Sequence, residues 1–209
     1  PCNENLYEDI IYKAKQEVGY VINEISKTEK VIVIYNKKDL KEVEKIKVSE
    51  NIELLECKLD DSWMRDIAPI FYTENNKLKS TSFQFNGYGK YPNYYNDNKV
   101  SEFISNHLKV PIRYSDIVLE GGAITYDDKK NLFTTSNVIF NSNRKQKNKN
   151  DKIINELKIL FDLDNIFMFQ NGLINDDTDG HVDNLLCPIG NNQYLIASTH
   201  KLDPNYEIL

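Results

Sequence analysis

Asp176-Asp177-Thr178-Asp179-Gly180-His181-Val182-Asp183-Asn184 is the stretch on which the reading of this chain turns. It packs four carboxylates and one of only three histidines into a single short segment. Leu185, Leu186 and Cys187 follow at once, so the cluster is expected at the mouth of a buried strand over 181–187. Side chains two apart on a strand share a face. Extended backbone would therefore line up Asp179, His181 and Asp183 as a proton shuttle flanked by anions, suited to a bound cation or to a metal. The plainer alternative is a surface turn whose aspartates cap backbone groups beside a partly buried histidine.

Working outward, the 209 residues are 40% hydrophobic, enough for a sizeable core in one or two domains. The formal net charge of -6 argues against nucleic acid or an anionic membrane as the main partner and is compatible with a cationic small molecule. Cys2, Cys57 and Cys187 are too few and too scattered for a disulfide framework or a zinc knuckle, which makes a reducing cytoplasm the default. No apolar run is long enough to span a bilayer, and no signal-peptide pattern is visible. The sequence opens at Pro1 and closes on Asn205-Tyr206-Glu207-Ile208-Leu209, which reads as the start of a helix, so it is expected to be a piece of a longer protein.

Leu6, Ile10, Ile11, Ala14, Val18, Val21, Ile22 and Ile25 follow a three-four spacing and predict an amphipathic helix over 5–26. Val31 to Tyr35 is a β-branched run expected as a buried strand. A charged helix over 38–48 and a strand over 52–58 follow. A strand over 67–73 is expected to turn through Asn75-Asn76 into a partner over 79–86. Helices are expected over 97–109 and 150–162, with strands near 117–119, 123–126, 131–134, 165–169, 181–187 and 193–198. Hairpins are too frequent for a purely parallel sheet, so the class is mixed α/β. No linker and no internal repeat is visible. The Asn/Lys-rich 141–152 reads as a solvated loop entering a helix.

Three further clusters carry candidate chemistry. Asp60-Asp61-Ser62-Trp63-Met64-Arg65-Asp66 sets the only tryptophan beside an Arg-Asp pair; alone, it reads most simply as a packing indole and a surface ion pair. Leu119-Glu120-Gly121-Gly122 ends an apolar run on a glutamate and two glycines, an ordinary turn or a close approach of backbone to a ligand. Phe83 to Tyr91 is an aromatic run with an Asn-Gly turn signal; with few basic residues near it, a pocket wall or plain packing is favoured over nucleic-acid stacking.

Taken jointly and in order, Trp63-Met64-Arg65-Asp66, Asn86-Gly87-Tyr88-Gly89-Lys90-Tyr91, Leu119-Glu120-Gly121-Gly122, Asn143-Arg144 and Thr178 to Asn184 resemble the agmatine deiminase and bacterial peptidyl-arginine deiminase family. The resemblance runs through the whole of 1–209. It implies one pentein-type deiminase domain, a partial α/β propeller of ββαβ-type modules with mixed sheets, truncated at both ends and lacking its last module. It implies a hydrolase that converts agmatine and water to N-carbamoylputrescine and ammonia through a cysteine thiol. Asp66 and Asp183 would grip the guanidinium, Trp63 would contact the substrate, His181 would be the general acid and base, and Glu120 would orient or tune His181. No cofactor and no metal is implied. The partner is a cationic guanidine, agmatine or an arginine side chain, and a homo-oligomer is admitted but not demanded.

Carboxylates in fork geometry suit a planar, permanently protonated guanidinium. With no cation between them, Asp66 and Asp183 are expected to repel each other and add nothing to folding. The family nucleophile lies in a Gly-rich segment with a His-Cys pair near the C-terminus, and none of the three cysteines has that context. Cys187, on the strand after His181, is expected in the core. Ala68 stands where the family usually has glycine. Peptidyl-arginine or arginine deimination stays open, with Arg113 and Arg144 as candidate carboxylate binders for the latter. So do a non-catalytic guanidine-binding remnant and a His/Asp metal hydrolase built on Asp179, His181 and Asp183.

Overall fold

The computed structural model describes residues 7–46 and 49–209. Helix α1 (Ile11–Ser26) leads into β1 (Val31–Tyr35), helix α2 (Leu40–Ile46) and β2 (Ile52–Glu56), which pairs parallel to β1 from Val31↔Ile52 to Tyr35↔Glu56. Cys2 and the first residues of the predicted 5–26 helix lie outside the described residues, as does the end of the predicted 38–48 helix. Strand β1 is half-buried along its length rather than fully buried, because only one strand flanks it.

A short helix, α3 (Met64–Ile67), precedes β3 (Ile70–Glu74), which forms a hairpin with β4 (Lys77–Gln84). The strand predicted over 67–73 therefore starts later than expected. Asn75 and Asn76 both take left-handed φ values of 53° and 58°, the turn whose twist matches a two-residue hairpin. Helix α4 (Val100–His107) then carries the chain over to β5 (Ile112–Val118), parallel to β4. Strand β5 starts five residues before the strand predicted near 117–119.

The pattern then repeats. Strand β6 (Ile124–Tyr126) and β7 (Asn131–Thr135) form a hairpin. Helices α5 (Ser136–Ile139) and α6 (Asn150–Phe161) cross over to β8 (Asn165–Phe169), parallel to β7. A third hairpin joins β9 (Leu186–Gly190) and β10 (Gln193–Ile196). Hairpin, crossover helix and parallel strand thus occur twice in full, an internal repeat the sequence does not display.

Helix α6 buries Ile153, Leu157 and Leu160 along one stripe, each worth about 1.5–3 kcal/mol in transfer free energy. They pack with Phe83, Ile117, Leu119, Ile124, Leu132 and Val138 in a core that joins the two repeats. A second cluster of Ile67, Phe85, Tyr88, Val100 and Ile104 ties α3 to α4. Val182, Leu185 and Leu186 pack on Phe133 and fix the segment that carries His181.

Candidate active site

The site is assembled from the segments that follow the parallel strands β2, β5 and β8. Asp66 lies on α3, Glu120 follows β5, and His181 and Asp183 lie between β8 and β9. Each repeat boundary thus contributes at least one ionisable group.

Asp66 is placed by two clasps. Asp97 accepts from the Asp60 and Asp61 amides at 2.8 and 3.1 Å, while Asp60 accepts from the Asn96 amide and its side-chain Nδ2, both at 2.7 Å. This pins the loop ahead of α3 to the start of α4. The Asp66 carboxylate then accepts from the Gly122 amide at 2.9 Å and from the Tyr88 hydroxyl at 2.8 Å. Asp66 therefore accepts two hydrogen bonds from the protein itself, contrary to the expectation of a merely repelling pair. Arg65 does not pair with it: its Nη2 donates to the Ile124 carbonyl at 3.2 Å, and its Nε lies 3.7 Å from Asp183 Oδ2. Trp63 opens α3 with its indole 44% exposed.

The 176–184 segment is a tight loop, not a strand. Asp179 and Gly180 take φ values of 66° and 114°, and Val182–Asn184 is a 3-10 turn, so the strand begins only at Leu186. The period-two alignment of Asp179, His181 and Asp183 is lost. Asp179 turns instead to Lys90 at 2.8 Å and Arg144 Nη1 at 2.7 Å. Asp176 caps the loop, accepting from Thr178, Gly180 and His181 amides and from the Thr178 hydroxyl. The capping reading of these aspartates holds for Asp176, and the metal row of Asp179, His181 and Asp183 does not form. Among the described residues, no group of three or more His, Cys, Asp or Glu is disposed to hold a metal ion.

His181 is 3% exposed and sits between two carboxylates: Nδ1 lies 3.7 Å from Asp66 Oδ1 and Nε2 lies 3.6 Å from Glu120 Oε2. Burial pulls the imidazole down, but Glu120, Asp66 and Asp183 together outweigh it and hold its pKa above the usual histidine value. Burial pushes the Asp183 carboxyl up, assisted by Asp66 and opposed by His181 and Arg65. Gly122 lies where the three meet. A Cβ there would come within 2.4 Å of His181 Nδ1, 2.8 Å of Asp183 Oδ2 and 2.9 Å of Asp66 Oδ1. The four predicted residues Asp66, Glu120, His181 and Asp183 are thus brought together, and the glycine is what lets them meet.

Two residues take roles that the sequence did not give them. Arg144, 1% exposed, places Nε 2.8 Å from Glu120 Oε1 and donates to Asp179 at 2.7 Å, the Tyr88 carbonyl at 3.0 Å and the Thr178 carbonyl at 2.6 Å. It is a buried counter-ion, not a free carboxylate binder, and the reading of 141–152 as solvated loop fails at this position. Arg113, on β5, faces Glu74 at 3.9 Å. Tyr88 is the second; only its place in the aromatic run marked it. Cys187 is exposed rather than in the core, because Leu186 takes the inward position at the start of β9. Cys57 is half-buried, and burial pushes its thiol up.

Agmatine deiminase from Pseudomonas aeruginosa (strain UCBPP-PA14) is 33% identical over 164 residues, 75% of this chain and 45% of that protein. Agmatine deiminase from Stutzerimonas stutzeri (strain A1501) is 34% identical over 168 residues, covering 74% and 44%. A solved structure of C. jejuni agmatine deiminase, a cysteine-to-serine variant with substrate bound, is 29% identical with a TM-score of 0.85, over 96% of this chain and 60% of that one. The chain spans about half the length of the curated relatives it matches. Its mixed α/β repeats are the partial pentein-type fold. A family model described as Porphyromonas-type peptidyl-arginine deiminase matches residues 1–209, and the chain belongs to that family.

Proposed function

We propose that this chain supplies the guanidinium-binding and acid/base groups of a guanidine deiminase that hydrolyses agmatine to N-carbamoylputrescine and ammonia. One observation carries the reading. The Asp66 and Asp183 carboxylates and the buried His181 ring converge around Gly122, with Glu120 at the other ring nitrogen held by buried Arg144, and with Arg65 Nε 3.7 Å from Asp183 Oδ2. A guanidinium is a planar cation whose N–H array matches carboxylates on two sides.

In this reading Asp66 and Asp183 hold the guanidinium nitrogens, and Trp63 contacts the substrate. A thiolate adds to the central carbon, the C–N bond breaks, and His181 gives its proton to the departing ammonia. His181 then takes a proton from water, which attacks the same carbon; the C–S bond breaks, the thiol is restored and the ureido product leaves. Glu120 keeps His181 charged for the first step. Neither Cys57 nor Cys187 is assigned as the nucleophile: one is half-buried with a raised pKa, and the other is exposed on β9. The C. jejuni relative, solved with substrate as a cysteine-to-serine variant, supports a thiol in that role. The 209-residue chain alone is therefore expected to bind guanidines without turning them over.

The curated relatives support agmatine, and the family description keeps a peptidyl-arginine side chain in play. Free arginine is disfavoured, since Arg144 is spent on Glu120 and Asp179. A cytoplasmic, bacterial setting belongs to the same proposal; no helix among the described residues is long and apolar enough to cross a membrane. The test is calorimetric titration of the chain with agmatine, an N-acyl-arginine amide, arginine and putrescine. Agmatine should bind and putrescine, which lacks the guanidine, should not. Equal binding of the two would overturn the reading.

A further inference from the structure

Asp66 sits on a helix only four residues long, Met64–Ile67, so its own backbone does little to fix the plane of its carboxylate. The Gly122 amide holds Oδ1. One hydrogen bond leaves the carboxylate free to swivel about it, and the second, at Oδ2, comes from Tyr88. We propose that Tyr88 is a positioning residue whose hydroxyl locks the Asp66 carboxylate in the orientation that faces both His181 and the guanidinium. The proposal rests on the guanidine reading for the ligand but not for the contact with His181.

The backbone that delivers this hydroxyl is unusual. Gly87, Tyr88 and Gly89 take φ values of 63°, 59° and 70° in succession. The left-handed region is open to glycine but disfavoured for a bulky residue, and it persists only where the surroundings over-determine it. They do so here. The Tyr88 carbonyl accepts from Arg144 Nη1 at 3.0 Å, and Asn86 Nδ2 donates to the Asn143 and Arg144 carbonyls at 3.0 and 3.2 Å. Gly89 lies so close to the Asn143 carbonyl that a Cβ would come within 2.0 Å of its oxygen. The ring meets the Phe85 and Tyr91 rings edge-on and lies 6.0 Å from the His181 ring. Burial and the Asp66 carboxylate push the hydroxyl's pKa up, so it stays protonated and remains a donor. A residue wanted only to fill the core would need neither the hydroxyl nor the left-handed turn.

Tyr88→Phe keeps the ring and removes the donor. The first readout is the proton NMR titration of His181 in the 209-residue chain, assigned with His181→Gln. His181 faces Asp66, Glu120 and Asp183, with Asp176 nearby, Arg144 against Glu120 and Arg65 against Asp183. If Tyr88 holds Asp66 towards the imidazole, Tyr88→Phe lowers the His181 midpoint. An unchanged midpoint overturns the proposal, whatever happens to the melting temperature. The second readout is agmatine affinity, expected about three- to tenfold weaker in Tyr88→Phe, with no further loss when the change is added to Asp66→Asn. Equal losses in both backgrounds would show that Tyr88 acts elsewhere and also overturn it. Should the parent chain bind no agmatine while the His181 midpoint still falls, the guanidine reading fails and the positioning role stands.

Discussion

Nε2 of His181 lies 3.6 Å from Oε2 of Glu120, and both side chains are buried. The contact is too long for a hydrogen bond, and both atoms are left without one. A buried imidazole held between Asp66 and Glu120, with Asp183 close by, is the electrostatic core of the site.

Asp66 and Asp183 should behave differently when truncated. Each would make charge-assisted hydrogen bonds to the guanidinium, and losing one partner of a buried ion pair costs on the order of 3–5 kcal/mol, about two to four powers of ten in agmatine affinity. Both alanine variants should show that loss. Only Asp66→Ala should also lower the melting temperature, because it strands the Gly122 amide and the Tyr88 hydroxyl. Asp183→Ala removes a carboxyl whose pKa burial has raised, and should leave stability unchanged or improved. Thermal melts paired with calorimetry decide it; Asp183→Ala that unfolds the chain would make Asp183 structural.

The acids and the histidine of this site were legible only in the joint order of Trp63 to Asp66, Glu120 to Gly122 and Thr178 to Asn184; singly, each cluster passes for a turn, a capped loop or an ion pair. Their supports were not. Arg144 lay inside an Asn/Lys-rich stretch whose composition says solvent, and only the turn at Ser142–Arg144 carries it inward. The alignment of Asp179 with His181 assumed extended backbone, which left-handed Asp179 and Gly180 break. Leu186 takes the inward position at the start of β9 and Cys187 the outward one, an alternation whose phase the unbroken apolar run Leu185-Leu186-Cys187 does not set. The repeat was hidden because its two copies share backbone topology and not side chains.

Stability should fall as the pH rises. His181 has a folded pKa above its ordinary 6.5, so its contribution is fully present below about that value and is lost as pH climbs through the raised midpoint. Asp97, whose carboxyl burial pushes up to about 6, acts with the same sign lower down, between its ordinary 3.8 and about 6. Urea denaturation across pH 4 to 9 should show both declines. His181→Gln should flatten the upper one and Asp97→Asn the lower. An upper decline that survives in His181→Gln assigns it to another group.

Gly122→Ala tests how full the site is. The added methyl would sit 2.4 Å from His181 Nδ1, with two carboxylate oxygens within 2.9 Å, so something must move. Overpacking of this kind costs about 1–3 kcal/mol, which a fold of this size can survive. Agmatine binding should be lost while circular dichroism still reports a folded chain. Retained affinity would mean that the guanidinium does not occupy the space beside Gly122.

Arg144 is the counter-ion on which the buried acids depend. Glu120 is 0% exposed, and among the described residues Arg144 and His181 are the cations within 4 Å of it. Arg144→Met would leave Glu120 short of a charge and the Tyr88 and Thr178 carbonyls without their donor, at a cost of about 3–5 kcal/mol. Arg144→Lys keeps the charge but cannot reach Glu120, Asp179 and two carbonyls at once, so it should recover only part of the loss. Adding Glu120→Gln to Arg144→Met removes the stranded charge and should restore stability relative to Arg144→Met alone, a coupling that appears in a double-mutant cycle. By contrast, Lys130→Ala breaks an exposed pair with Asp162 and should barely move the urea midpoint. If Arg144→Met and Lys130→Ala cost the same, or if Glu120→Gln destabilises both backgrounds equally, then Arg144 does not neutralise Glu120.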